Sequence, residues 1–221
     1  MHVGALMRTL MIADASQNKG IYIMNYHDTT TQMAKVLRAA AFAAQRHSDQ
    51  RRKGNRAAPY INHPIAVATC LADAGVEDAD ILAAALLHDT VEDTDTSLEE
   101  IGQLFGPRVA SIVAEVTDDK SLPKAERKRR QIASAPTKSH EAKLVKLADK
   151  ICNLRDLRDC PPDWSEDRIN AYHRFARDVY RGLRGEQPDL DEAMERLLLE
   201  KVLPGDKLCG LVTVLHRSLE S

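Results

Sequence analysis

Aromatic residues are scarce in this chain, at 4%, and no stretch alternates apolar with polar residues as a half-buried strand would. Glycine and proline are few, at 10 and 9 in 221 residues, so turns are sparse. Sparse turns beside frequent alanine and leucine favour an all-α fold. The four cysteines, Cys70, Cys152, Cys160 and Cys209, form no CxxC pair. That excludes a zinc knuckle and a disulfide frame and reads as reduced thiols in a cytoplasmic protein. A net charge of −2 gives no global pull toward nucleic acid or membrane. No run reaches the ~18 apolar residues of a membrane span. The N-terminus has Arg8 as its single early positive charge and no clear cleavage site, so it is not an export signal.

What is present is a series of helical patterns. Residues 1–28 read as a poorly ordered leader, within which Met24 is an alternative start, 29–203 as one domain, and 204–221 as an apolar tail suited to docking or to a homo-oligomer contact. Thr29-Thr30-Thr31 offer N-cap hydroxyls to a helix reaching about His47, with Met33, Val36, Leu37, Ala40, Ala41 and Ala44 on its apolar face. Pro64 suits the first turn of a second helix ending near Gly75. A third helix spans about 79–89. Thr96 with Glu99, or Ser97 with Glu100, makes a capping box, and Pro107 opens a further helix bearing Val109, Ile112, Val113 and Val116. Pro123 starts a highly charged helix to about Ser134. Beyond a helix at about 140–158, Asp163 to Glu166 start one carrying Ile169, Tyr172, Phe175, Ala176 and Val179, and a last helix covers about 189–203.

The costliest stretch is His88-Asp89-Thr90-Val91-Glu92-Asp93, which ends the apolar run Ile81–Leu87. An imidazole and three carboxylates at the end of a core helix repel one another and resist desolvation unless a cation sits among them. In the helix of 140–158, Asp149 and Asn153 share a face nearly opposite the main stripe of Leu144, Leu147, Ala148, Ile151 and Leu154. Val145 and Cys152 flank that face, so the helix is apolar on most sides and central, and a central carboxylate needs a partner. His63, His88, Asp89 and Asp149 supply two imidazoles and two carboxylates, a set suited to Mn²⁺, Fe²⁺ or Zn²⁺. A histidine at a helix end is by itself more often structural than ligating; the contiguous His-Asp pair and the acids after it shift the balance toward metal. The basic triplet Arg51-Arg52-Lys53 and the run Arg127–Arg130 are, taken alone, solvated faces.

His63 after Pro-Tyr-Ile-Asn, then Leu-Leu-His88-Asp89-Thr-Val-Glu92-Asp93, then Lys-Leu-Ala-Asp149-Lys-Ile-Cys-Asn153-Leu-Arg155 resembles the HD-domain hydrolases of the RelA/SpoT family. The resemblance is closest to the stand-alone small alarmone hydrolases of metazoan type and runs from about residue 32 to 203. It implies a compact multi-helix HD fold binding one Mn²⁺. It also implies hydrolysis of guanosine 3′,5′-bis(diphosphate), ppGpp, or of the pentaphosphate, to GDP or GTP and pyrophosphate. By the resemblance, His63, His88, Asp89 and Asp149 are metal ligands, and Glu92 and Asp93 the acidic pair that handles water. Arg52, Lys53, Lys124, Asn153, Arg168 and Tyr172 surround the nucleotide. Family members often carry a glycine before the Pro-Tyr segment, where this chain has Ala57-Ala58; a differently shaped basic loop is expected, with Arg52 most affected. No synthetase domain is expected in the residues present.

Elementary chemistry agrees with these roles. Phosphoryl transfer is catalysed largely by electrostatic positioning. A divalent ion acidifies water and polarises a phosphate oxygen, and a carboxylate one turn away can take the proton. Lys53 and Lys124 offset a polyanionic substrate, Arg52 can stack on a base, and Tyr172 can pack against base or ribose. Two other readings use the same residues: a phosphohydrolase for another ribose-phosphate nucleotide such as NADPH, and a silent nucleotide-sensing module.

Overall fold

The structure, a computed structural model, describes residues 26–53 and 57–200; the expected tail, most of the expected leader, and Cys209 lie outside them. Among the described residues there is no strand, and one isolated bridge pairs Arg51 with Pro59. The helices are α1 (Tyr26–Arg46), α2 (Asn62–Asp73), α3 (Ala79–Leu87), α4 (Thr90–Asp93), α5 (Leu98–Phe105), α6 (Pro107–Val116), α7 (Lys124–Ser134), α8 (His140–Asp159), α9 (Glu166–Leu183) and α10 (Pro188–Leu199).

Local chemistry sets most of the boundaries. Asp78 caps α3 by accepting from Asp80 N at 2.9 Å and Ile81 N at 3.4 Å. Ser97, rather than Thr96, caps α5, accepting from Glu100 N at 3.1 Å. The reciprocal half of that capping box is not made, because the Glu100 carboxylate pairs with Arg46. Pro107 occupies the first turn of α6 after Gly106, whose φ of 99° is a left-handed conformation that glycine adopts without strain.

Two packed helices carry the interior. α3 packs against α1, α2, α6 and α8, and its Ala83, Ala84, Ala85 and Leu87 are fully buried. α8 packs against α2, α3, α6, α9 and α10. It buries a continuous run from Leu144 through Cys152, so it is central, as its apolar flanks required. α9 lies across α7 and the 3₁₀ turn Ala135–Thr137. Gly182 permits that approach: a Cβ there would stand 2.8 Å from Ala135 Cβ and Pro136 Cδ.

Three expectations are corrected. α1 begins at Tyr26, so Thr29–Thr31 lie inside the helix and do not cap it. Its buried face is Ala39, Ala43 and, just past its end, His47, with Val36, Ala40 and Phe42 partly buried; Met33 and Leu37 are 63% and 64% exposed. The small side chains of Ala39 and Ala43 let α1 lie close to the alanine-rich α3, which outweighs burying the larger Met33 and Leu37. Finally, α3 ends at Leu87 rather than at residue 89. The Thr90 hydroxyl donates to Leu87 O at 2.6 Å and takes up one of the carbonyls left at the helix end. His88 and Asp89 therefore occupy a junction between α3 and α4.

Candidate metal and nucleotide site

That junction aims His88 and Asp89 at His63 on α2 and Asp149 on α8. His63 Nε2 is 3.2 Å from Asp149 Oδ1 and 3.9 Å from Asp89 Oδ2. His88 Nε2 is 3.1 Å from Asp89 Oδ2 and 3.9 Å from Asp149 Oδ1. The structure thus brings together all the residues read as ligands, from α2, from α8 and from the junction between α3 and α4. His88 Nδ1 lies 2.8 Å from the carbonyl of Ala85; since a carbonyl only accepts, Nδ1 carries the proton. His88 Nε2 then turns to the cluster, buried and without an aligned hydrogen-bond partner. A backbone carbonyl on one ring nitrogen, leaving the other to face the cluster, is how ligating histidines are oriented. His63, His88 and Asp149 offer ligand atoms within 4.8 Å of one another. A borderline divalent ion fits this nitrogen and oxygen set.

The cluster's electrostatics show the same need. Burial disfavours charge on His88, yet Asp89 and Asp149 overcome it and raise its pKa to about 9. Burial likewise opposes the Asp149 charge, but Lys150, the His63 bond and Lys146 hold its carboxyl well below the usual range. His63, dominated by burial, is pushed down and stays neutral.

The acidic pair divides. Glu92 Oε2 accepts from Asp118 N at 3.1 Å, and its other oxygen is 3.5 Å from Arg127. Burial, then the charges of Asp118 and Asp89, raise its pKa above 4.5. Asp93 accepts from the Tyr60 hydroxyl at 3.3 Å and pairs with Lys120.

Residues read as nucleotide contacts fall into two groups. Arg52 donates to Asn153 Oδ1 at 3.0 Å and to Asp156 at 2.6 Å, and its guanidinium lies 5.6 Å over the Tyr60 ring. Asn153 also donates to Asp149 Oδ1 at 2.5 Å, so it links Asp149 to Arg52. The basic loop is tied by Arg52 N to Ala58 O at 2.9 Å. Ala57 there has φ 45°, the left-handed region that a glycine would enter at less cost. The alanine thus keeps a glycine-like turn, and Arg52 is held. The second group is Lys53, Lys124 and Arg168, all exposed, with Tyr172 half-buried. Arg168 stacks 4.0 Å over Trp164, and Trp164 stands 6.3 Å from Tyr172.

Three residues were missed by sequence reasoning. Tyr60 donates to Asp89 Oδ2 at 2.6 Å; its signal was its place in the Pro-Tyr-Ile-Asn-His63 run. Lys150, buried, donates to Asp149 Oδ2 at 3.1 Å, and its signal was direct adjacency to Asp149. Lys128 lies 4.6 Å over Phe175 and 6.0 Å from the Tyr172 ring centre. Its signal was the four-residue spacing that puts it on the face of Lys124.

Comparison with known proteins accounts for this arrangement. The HD-domain family model matches residues 39–188. A mouse protein named guanosine-3′,5′-bis(diphosphate) 3′-pyrophosphohydrolase MESH1 is 54% identical over 175 residues, covering 78% of this chain and 98% of that protein. Its Drosophila melanogaster namesake is 46% identical over 176 residues, covering 79% of this chain and 98% of its own length. A solved structure described as a metazoan orthologue of SpoT that hydrolyses ppGpp superposes with a TM-score of 0.73 at 48% identity, covering 74% of this chain and 93% of that one. The chain belongs to the HD-domain family, in the stand-alone SpoT-like branch of the RelA/SpoT hydrolases.

Proposed function

We propose that this protein is a metal-dependent guanosine-3′,5′-bis(diphosphate) 3′-pyrophosphohydrolase that works with Mn²⁺ in the cytoplasm through a domain spanning residues 29–203. The observation that carries the reading is the convergence of His63, His88, Asp89 and Asp149 beside an acidic pair and cations that pair with no carboxylate among the described residues. Relatives covering nearly their whole length bear the same activity in their names. The three described cysteines are free, in keeping with a reducing compartment.

His63, His88, Asp89 and Asp149 would hold the ion, which supplies an acidified water and offsets charge on a phosphate oxygen. Glu92 is the better base of the acidic pair. Its pKa is raised by burial and its oxygens are lightly engaged, whereas Asp93 is tied to Tyr60 and Lys120. Glu92 takes the proton from the attacking water. The water oxygen bonds to the phosphorus carried on the ribose 3′ oxygen. The bond from that phosphorus to the 3′ oxygen breaks, pyrophosphate leaves with the new oxygen, and the 3′ oxygen takes a proton to give GDP. Asp93 and Tyr60 orient Asp89, and Asn153 orients Asp149. Arg52 and Tyr172 hold the nucleoside; Lys53, Lys124 and Arg168 offset the phosphates.

The test is a panel of nucleotides incubated with the Mn²⁺-loaded protein, with released pyrophosphate and orthophosphate measured separately. Pyrophosphate from the guanosine bis(diphosphate) is expected. Its absence, with orthophosphate released from NADPH instead, overturns the assignment.

A further inference from the structure

Lys128 was read from sequence as one member of a solvated basic run, and its surroundings are different. Its ammonium makes no hydrogen bond and no ion pair with any described residue. It rests on the face of Phe175 at 4.6 Å, with the Tyr172 ring at 6.0 Å. Its electrostatic neighbours are Lys124, Lys150 and Arg168, all positive, with no carboxylate among them; burial and these charges together lower its pKa. A resting contact with an aromatic face is weak where water is near, and it gives no reason to gather Lys124 and Arg168, which pair with no carboxylate among the described residues, beside Lys128. Like charges assembled without acids are stable where a polyanion completes them.

The position relative to the metal cluster decides which anion this is. Lys150 donates to Asp149 Oδ2 at 3.1 Å and lies 5.4 Å from the centre of the Phe175 ring. Lys128 meets that same ring. The carboxylate-rich cluster and the Lys128 cluster are therefore neighbouring but separate, joined through Lys150 and Phe175. A nucleotide with one phosphate arm at the metal ligands has its ribose and its other arm to place on this second side.

We infer that Lys128 binds the phosphate arm that is not cleaved, the diphosphate on the ribose 5′ oxygen, and so makes recognition depend on that arm. This rests on the nucleotide-hydrolase reading of the site. Lys128 acts with Lys124 and Arg168 as a receptor that selects nucleotides phosphorylated at both ends of the ribose.

Calorimetry on the full Mn²⁺-loaded chain tests this with two probes, GDP, which carries the 5′ arm, and guanosine 3′-monophosphate, which lacks it. Loss of a charge-assisted phosphate contact in Lys128→Met should raise the dissociation constant for GDP about 10- to 100-fold. The value for guanosine 3′-monophosphate should move less than about 2-fold, because general screening across the site is all that changes for it. Lys128→Arg, which keeps the charge, should restore most of the GDP affinity. Equal weakening of both probes, no change in either, or no GDP binding by the wild type overturns the assignment. If GDP binding depends on Lys128 but the wild type releases no pyrophosphate from the bis(diphosphate), the hydrolase reading fails while the 5′ receptor stands.

Discussion

Asp149 and Lys128 are both neighbours of Lys150, one through a hydrogen bond and the other through the shared Phe175 ring, and their surroundings are built in opposite ways. Asp149 has both oxygens engaged: Oδ1 faces His63 and Asn153, and Oδ2 accepts from Lys150. Every group there is held before a substrate arrives. Among the described residues Lys128, Lys124 and Arg168 pair with no carboxylate, and ring contact orders two of them, Phe175 for Lys128 and Trp164 for Arg168. The first region is preorganised for chemistry, while the second is completed by its ligand. Damage to the first should appear in metal content and kcat. Damage to the second should appear in KM and in which nucleotide is bound.

The largest effect tests the preorganised side. Asp149→Ala removes a carboxylate of the proposed metal site and leaves Lys150 buried without its partner. Metal should be lost and turnover abolished, with the helical content of the circular dichroism spectrum kept. The same holds for His88→Ala. Metal analysis of purified wild type and variants checks this. Full metal content in Asp149→Ala would place the ion elsewhere and dissolve the contrast.

Glu92→Gln comes next and divides the preorganised side within itself. The ion should stay, because Glu92 touches none of its ligands, while kcat falls ~10²–10⁴-fold, the usual worth of a positioned base. The base works only when deprotonated. Burial has raised its pKa, so the wild-type rate should begin to fall on acidification while still above the ordinary carboxylate value of 4.5. The variant's residual rate should show no such limb. An unchanged acid limb in the variant would move the role to Asp93.

The sequence carried the preorganised side far better than the other. His63, His88, Asp89 and Asp149 are buried or nearly so, and a buried titratable group without an apolar reason is conspicuous in a sequence. The central position of α8 was legible for the same cause, since Val145 and Cys152 make a carboxylate between them costly. The face of α1 was misjudged because hydrophobicity ranks Met33 and Leu37 above Ala39 and Ala43, whereas close helix approach rewards the smaller residues. Lys128 looked like solvent-facing charge, because a lysine on a ring and a lysine in water have the same neighbours in sequence. Tyr60 was passed over because a hydroxyl that bridges two carboxylates is a fact of tertiary geometry.

Tyr60 lies between the carboxylates and Arg52 and gives the smallest and sharpest of these tests. Its hydroxyl donates to Asp89 Oδ2 at 2.6 Å and reaches Asp93 Oδ2 at 3.3 Å, while its ring lies under Arg52. Tyr60→Phe deletes the hydroxyl and keeps the ring. Asp89, a proposed metal ligand, loses an orienting donor, and such losses cost about 10- to 100-fold in metal affinity or rate. Arg52 keeps its ring and its bonds to Asn153 and Asp156, so nucleotide affinity should hold. The expected signature is weakened Mn²⁺ binding and lower kcat at unchanged KM. A rise in KM with kcat intact would mean that the hydroxyl serves the nucleotide rather than Asp89, and Tyr60 would then belong to the ligand-completed side of the contrast.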